Sequence, residues 1–323
     1  MVLGFYIQGQ DLHNSDYRFN PLYLNPALTG GFQGNLRAGA IHRDQFRTFL
    51  GKAYQSTSIW LDSPVSFVFN EKTWLGLGAN FYRDLVGDLG LGHNGIIGSA
   101  ALHLSLDKKY KKVFAVGIQY GYLQKKLNQN SAGRFQDQIL SSSPSPDLEL
   151  LDQFQHSTAD LNFGVNWTQA INKYQKYSIG ISMHHLNGLF NSTPNPSFLD
   201  NRINMYGDWT AQLNSRFLLQ STLNASILKN YSILQLQLHG NYQLKKKGNK
   251  YLTSGIGMRM GDALQLMGGM IVKGWQVSIC YDLTVSTARV YNNSAGAIEI
   301  GIIETIVIPK KPVVEPKIIC PRT

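Results

Sequence analysis

Charge is scarce in this chain. Asp, Glu, Lys and Arg make up 15% of its 323 residues, against roughly 25% in ordinary soluble domains. Long apolar runs are missing too: stretches such as "GIIETIVIP" (301–309) fall far short of the roughly 18 residues a membrane helix needs. That excludes a helical membrane protein and leaves a membrane barrel open, because a barrel strand carries its apolar side chains at every second position. Cysteine is nearly absent. Cys280 lies in an alternating run and Cys320 in a Pro-rich tail, a spacing that excludes a zinc site. A disulfide between them needs an oxidising compartment, and a lipid- or lumen-facing Cys280 is hard for the tail to reach.

What is present is apolar and aromatic, with 43% hydrophobic residues, 31 Gly and 16 Tyr. This is too apolar for a disordered chain and too uncharged for a typical cytosolic enzyme. The net charge of +10 comes from cations that are dispersed or sit in turns, as in "DKKYKK" (107–112) and "LKKKGNK" (244–250). No basic helix or aromatic RNA motif accompanies them, so solvated turns, or turns that meet lipid phosphates, are favoured over nucleic-acid binding. The first nine residues, "MVLGFYIQG", look like the back half of an export signal without its basic front.

From residue 34 to 308 the chain alternates. In "LNFGVNWT" (161–168) Leu161, Phe163, Val165 and Trp167 project one way, and Asn162, Gly164, Asn166 and Thr168 the other. "LQLQLHG" (234–240) and "WLGLGANFY" (74–82) repeat the pattern. The polar phase is Asn, Gln, Ser, Thr, Gly and His rather than the Lys and Glu of a water-facing sheet. An outward apolar band on lipid around a polar interior satisfies both faces. The alternation predicts fourteen strands, at 34–45, 53–63, 72–85, 91–106, 112–128, 157–169, 176–187, 204–214, 217–229, 231–244, 250–260, 262–273, 274–286 and 296–308. The expected fold is thus an all-β, antiparallel transmembrane barrel with both termini periplasmic. The long connections 129–156, 188–203 and 287–295 then all follow odd-numbered strands and lie outside the cell, with short turns at the other end.

Before the first strand stands "LYLNPALTGG" (22–31). Pro26 removes a backbone donor and biases Asn25 to extended geometry, while Gly30 and Gly31 permit left-handed turns. The stretch "QDLHNSDYRFNPLYLNPALTGGFQGNLRAGAIHRDQFRTF" (10–49) resembles the opening signature of the PorP/SprF family of type IX secretion outer-membrane proteins of Bacteroidetes. The matching residues are Gln10-Asp11, the aromatics Tyr17 and Tyr23, then Asn25, Pro26, Ala27 and Gly30, and finally Arg43, Gln45 and Arg47 around Phe46, where the family more often has Trp. Later stretches agree in order, among them "FGVNW" (163–167), "SMHHLNG" (182–188), "NRINMYG" (201–207) and the terminal "CPR" (320–322). The resemblance implies an outer-membrane barrel without catalytic activity or cofactor. It would assist secretion, surface attachment of a secreted protein or adhesin, or gliding motility, together with periplasmic and outer-membrane type IX components.

The expected organisation is a residual signal peptide (1–9), an N-terminal periplasmic or plug segment (10–33), the barrel (34–308) and a periplasmic tail (309–323). The rival function is a channel for a small or hydrophobic solute. Expected partner contacts are Asp147, Glu149 and Asp152 in the longest loop, Phe198, Asn201 and Arg202 in the second, and Ile318, Ile319 and Cys320, through which the tail adds a strand to a periplasmic subunit. His184 and His185, as neighbours in a strand, are expected on opposite faces and so unable to share a metal. Trp74, Tyr110, Tyr122, Tyr174, Tyr177, Tyr206 and Trp209 are expected at interfacial girdles or in the lumen. No G-x-S-x-G, P-loop or paired-carboxylate motif sits on a plausible scaffold.

Overall fold

The computed structural model describes residues 12–47, 53–67, 72–86, 91–127, 156–186, 199–245, 248–287 and 289–308. Fourteen strands run in chain order: β1 Leu36–Gln45, β2 Tyr54–Phe67, β3 Thr73–Val86, β4 Leu91–Ser105, β5 Lys112–Leu127, β6 His156–Ala170, β7 Gln175–His184, β8 Arg202–Gln212, β9 Phe217–Ile227, β10 Ser232–Gln243, β11 Lys250–Arg259, β12 Ala263–Val272, β13 Trp275–Thr284 and β14 Ala295–Ile306. Each pairs antiparallel with its sequence neighbour. β1 closes the barrel on β14, in register from Leu36 opposite Ile306 to Gln45 opposite Ala297. Closure leaves no edge, which is what lets strands cross hydrocarbon without unpaired peptide groups. No helix among the described residues is long and apolar enough to cross a membrane.

The expected strands match these elements closely. The largest departure is β2, expected to stop at residue 63 and observed to run to Phe67, because a register shift between Pro64 and Ser66 absorbs the missing Pro64 amide. The two ends of the barrel differ. Connections after even strands are short, down to Lys273-Gly274, both at positive φ as a tight two-residue hairpin requires. The long connections all follow odd strands. The barrel thus has a short-turn end and a long-loop end.

The faces divide as the alternation demands. On β10, Leu234, Leu236 and Leu238 are exposed outward while Gln235, Gln237 and His239 are buried inside. Ile96, Ile256, Ile279 and Ile300 continue the outer apolar belt. Trp209, Tyr242 and Trp275 are exposed near the short-turn end, where an interfacial girdle belongs. Of the aromatics expected at the girdles or in the lumen, two turn inward. Trp74 stacks on His103 with ring centroids 4.7 Å apart, and Tyr206 is buried against Asn166.

The two adjacent histidines also depart from expectation. β7 ends at His184, and His185 takes a left-handed backbone (φ 63°) that breaks the alternation. Both rings are buried, 6.3 Å apart between centroids, with His184 beside Ser182 and His185 Nδ1 2.9 Å from Asp160. Among the described residues, no three His, Cys, Asp or Glu side chains are arranged to hold a metal ion.

A candidate functional site inside the barrel

Residues 12–31 lie within the lumen, bonded to the inner faces of the strands. Three short helical turns, Tyr17–Phe19, Pro21–Leu24 and Pro26–Leu28, follow one another. Their spacing comes from two Asn-Pro pairs. Asn20 (φ −138°) and Asn25 (φ −157°) lie outside helical geometry, as residues before proline prefer, and each proline opens the next turn. The segment starts near the long-loop end, where Leu12 packs with Tyr82, Ile97, Leu123 and Leu199. Phe19 and Leu22 then meet Ile41, Trp60 and Ile303. The segment leaves at the short-turn end, where the Trp74 indole donates to the Gly30 carbonyl (3.1 Å). The apolar side chains on the otherwise polar inner face are thus where the segment packs, and Trp60 donates to the Phe19 carbonyl at 2.7 Å.

The motif Asn25 to Gly30 follows one row of the wall. Gly76, Ala101, Gly117, Gly164, Ser182 and Asn204 are direct cross-strand partners from β3 to β8. A Cβ on Gly76 would fall 2.1 Å from the Thr29 carbonyl oxygen, on Gly117 2.3 Å from the Pro26 carbonyl carbon, and on Gly164 2.0 Å from Asn25 Oδ1. Where the row changes to Ser182 and Asn204, their side chains donate to the Leu24 carbonyl at 2.8 and 3.2 Å. Asn25 itself is fully buried. Its Oδ1 accepts the Ala27 amide (2.8 Å), capping the last turn, and its Nδ2 donates to the Val165 and Ile181 carbonyls (3.0 and 3.3 Å). Gly30 (φ 69°) gives its amide to Asp62 at 2.7 Å, and Asp62 is paired with Arg37 at 2.8 Å.

Towards the long-loop end the anchor is ionic. Glu299 accepts the consecutive amides of Ser15 (2.7 Å) and Asp16 (2.6 Å). Asp282 accepts the Ser15 hydroxyl at 2.7 Å and ion pairs with Arg43 and Arg259, both at 3.0 Å. Arg43 also reaches Glu299 at 3.7 Å and hydrogen-bonds the Ser15 hydroxyl. The Ser15 carbonyl takes hydrogen bonds from Gln235 and Gln237. Burial on its own raises the Asp16 carboxyl pKa, but the Arg18 guanidinium 2.7 Å away outweighs it and holds the group below its ordinary range. Charges this buried are tolerated only because each is paired and hydrogen-bonded.

Asn25, Pro26, Ala27 and Gly30 form the inner motif on the row. Arg43 and Gln45 point inward from β1, with Gln45 accepting from Arg43 (3.4 Å), whereas Arg47 lies exposed beyond the strand and pairs with Asp44. Asn201 is exposed. Arg202 is buried and holds Tyr23 through its hydroxyl (2.5 Å), its carbonyl (3.3 Å) and its ring face (4.2 Å). Asp147, Glu149, Asp152, Phe198, Ile318, Ile319 and Cys320 lie outside the described residues. Cys280 is buried on the inner face of β13. Sequence reasoning missed Ser15, Asp62, Arg259, Asp282 and Glu299. Their signal was present: each of the four charges falls on the polar phase of a strand, where charge is rare.

These features define an outer-membrane β-barrel whose own N-terminal segment is bonded along the inside of its wall. The chain matches, over residues 7–303, the family described as type IX secretion system membrane protein PorP/SprF. It belongs to that family. None of the curated proteins compared is significantly similar in sequence. Among solved structures, the CymD monoaromatic hydrocarbon channel shares the fold at a TM-score of 0.52 and 11% identity, over 89% of this chain and 92% of that one. A Pseudomonas aeruginosa FadL homologue does so at 0.50 and 9%, over 87% and 92%. Both likenesses concern the fold.

Proposed function

We propose that this outer-membrane barrel assists type IX export or the surface attachment of a secreted protein or adhesin, through its long-loop end and without catalysing a reaction. On this reading the short turns face the periplasm and the connections 129–156 and 188–203 meet the exported protein. One observation carries it beyond family membership: the lumen is occupied by residues 12–31, bonded to strands all around the wall. An interior fixed in this way suits a scaffold better than a conduit for protein. The test is affinity purification from native membranes of the intact barrel and of variants with either connection shortened. Loss of a large secreted protein with the shortened connections is expected; identical recovery from all three refutes the assignment.

A second reading, passage of a small or hydrophobic solute, has one feature in its favour. A cavity of about 380 Å³ lies between the inner segment and β8–β11, lined by Leu12, Tyr17, Tyr23, Ile233 and Met260 together with Arg202 and Arg259. Solute uptake by vesicles containing the purified barrel, absent from vesicles without it, would favour this reading.

A further inference from the structure

The two ends of the barrel differ in charge as well as in loop length. Every connection at the short-turn end carries a cation: Lys72, Lys109, Lys173, Arg216, Lys245 and Lys273 stand one in each of the six turns. The acids there are Glu71 and Asp107. The Asp107 carboxylate is turned back onto the amides of Lys111 and Lys112, at 2.7 and 3.2 Å. At the other end, connection 128–155 has Asp137, Asp147, Glu149 and Asp152 against Arg134.

The cationic ring continues into the mouth. A cavity of about 380 Å³ opens there, lined by Arg18, Arg37 and Lys176 among polar side chains, including the buried Asn241, whose Oδ1 has no hydrogen-bond partner. A second cavity of about 200 Å³, beside Ala27 and Leu28 of the inner motif, shares Lys176 with it. Its carboxylate, Asp208, is already bonded by Gln220 (2.6 Å) and Thr210 (3.2 Å). Arg18 and Arg37 are paired with Asp16 and Asp62, whereas Lys176 is exposed at the start of β7, on the inner face.

We propose that the short-turn mouth is a docking surface for an acidic segment of a partner protein, which crosses the lysine ring and reaches Lys176 inside. Three alternatives fit the charge less well. Anionic lipid headgroups meet the outer side of the turns but have no path to a lysine on the inner wall. The chain's own tail, which begins at this end after residue 308, is basic, with Lys310, Lys311, Lys317 and Arg322 against Glu315. The acidic connection of a second copy lies on the other side of the membrane. The inference deepens the proposed role by giving the chemistry of the partner on the short-turn side. It is tested on the purified barrel alone, so its failure leaves the export reading standing.

The experiment measures binding of a short fluorescein-labelled polyglutamate peptide to the intact barrel in phosphatidylcholine nanodiscs, with polylysine as the opposite probe. Polyglutamate binds and its binding weakens steeply with salt, while any polylysine held by the acidic connection 128–155 is insensitive to the substitutions in the lysine ring. Lys176→Glu weakens binding about tenfold, and Lys109→Glu with Lys273→Glu does so by a similar factor. Heat-modifiable migration on gels confirms that each variant is folded, and Lys176→Gln replaces the reversal if it is not. Unchanged affinity in the folded variants overturns the proposal. So does displacement of the bound polyglutamate by an equimolar amount of soluble dihexanoyl-phosphatidylglycerol in phosphatidylcholine nanodiscs, which assigns the ring to lipid.

Discussion

Gly117 and Gly164 face each other across β5 and β6, and the Pro26-Ala27 backbone and the Asn25 and Pro26 side chains lie against the space that their missing side chains leave. That pairing joins a motif near the N terminus to strands some ninety to one hundred and forty residues away, and it makes the inner segment part of the wall's packing. A side chain at Gly117 would have to displace backbone, and one at Gly164 the capping Asn25 amide and the Pro26 ring.

Replacing Gly117 or Gly164 by Val is therefore expected to lift the segment from its row, at an overpacking cost of about 1–3 kcal/mol. The measurement is the thermal midpoint of the detergent-solubilised barrel, together with trypsin cleavage after Arg18. Gly268→Ala is the control, because a Cβ there meets nothing within 4 Å. Equal effects at all three positions would refute the packing argument.

Glu299 holds two successive amides and faces Arg43. Glu299→Ala leaves those two buried amides without their acceptor, at about 1–3 kcal/mol each, while Arg43 keeps its pair with Asp282. A spin label at Asn14 should report faster motion in this variant while the strand circular dichroism stays the same. A label just as immobile in Glu299→Ala would show that the ionic anchor is dispensable.

The outer belt gives an independent check on lipid as its solvent. Arg in place of the outward Leu236, mid-strand on β10, should cost about 2–4 kcal/mol in folding into bilayers, as a cation at the midplane does. The same change at Leu244, in the turn beyond β10, should cost much less. Equal folding yields for the two variants would argue against a membrane belt at Leu236.

Cys280 is 1% exposed on the inner face of β13. In a Cys320→Ser background, a membrane-impermeant maleimide should leave the folded barrel unlabelled and label it fully after denaturation. Rapid labelling of the folded protein would place Cys280 elsewhere.

Much of the fold is legible in one dimension. "LQLQLHG" assigns its leucines to lipid and its glutamines to the lumen without reference to any other strand. The bulge that carries β2 past Pro64 is less legible, since it depends on the partner strand accommodating an extra residue. The candidate site reads differently. "NPALTGG" announces turns, but no local rule says that they lie inside the barrel, and Trp74 has the composition of a girdle residue while it serves as a donor to Gly30. His185 shows the same limit. Its place next to His184 implies opposite faces, and only the left-handed backbone after the last strand residue brings both rings inside.

The sequence by itself determined the strand number, the two faces and the asymmetry of the loops, because a pleated backbone alternates its side chains whatever lies beside it. The tertiary structure decided what fills the centre. A row of small residues becomes a groove only when barrel closure sets the register between strands, bringing Gly76, Gly117 and Gly164 into one line. An isolated Glu299 becomes an anchor only when the lumen places Ser15, Asp16 and Arg43 around it.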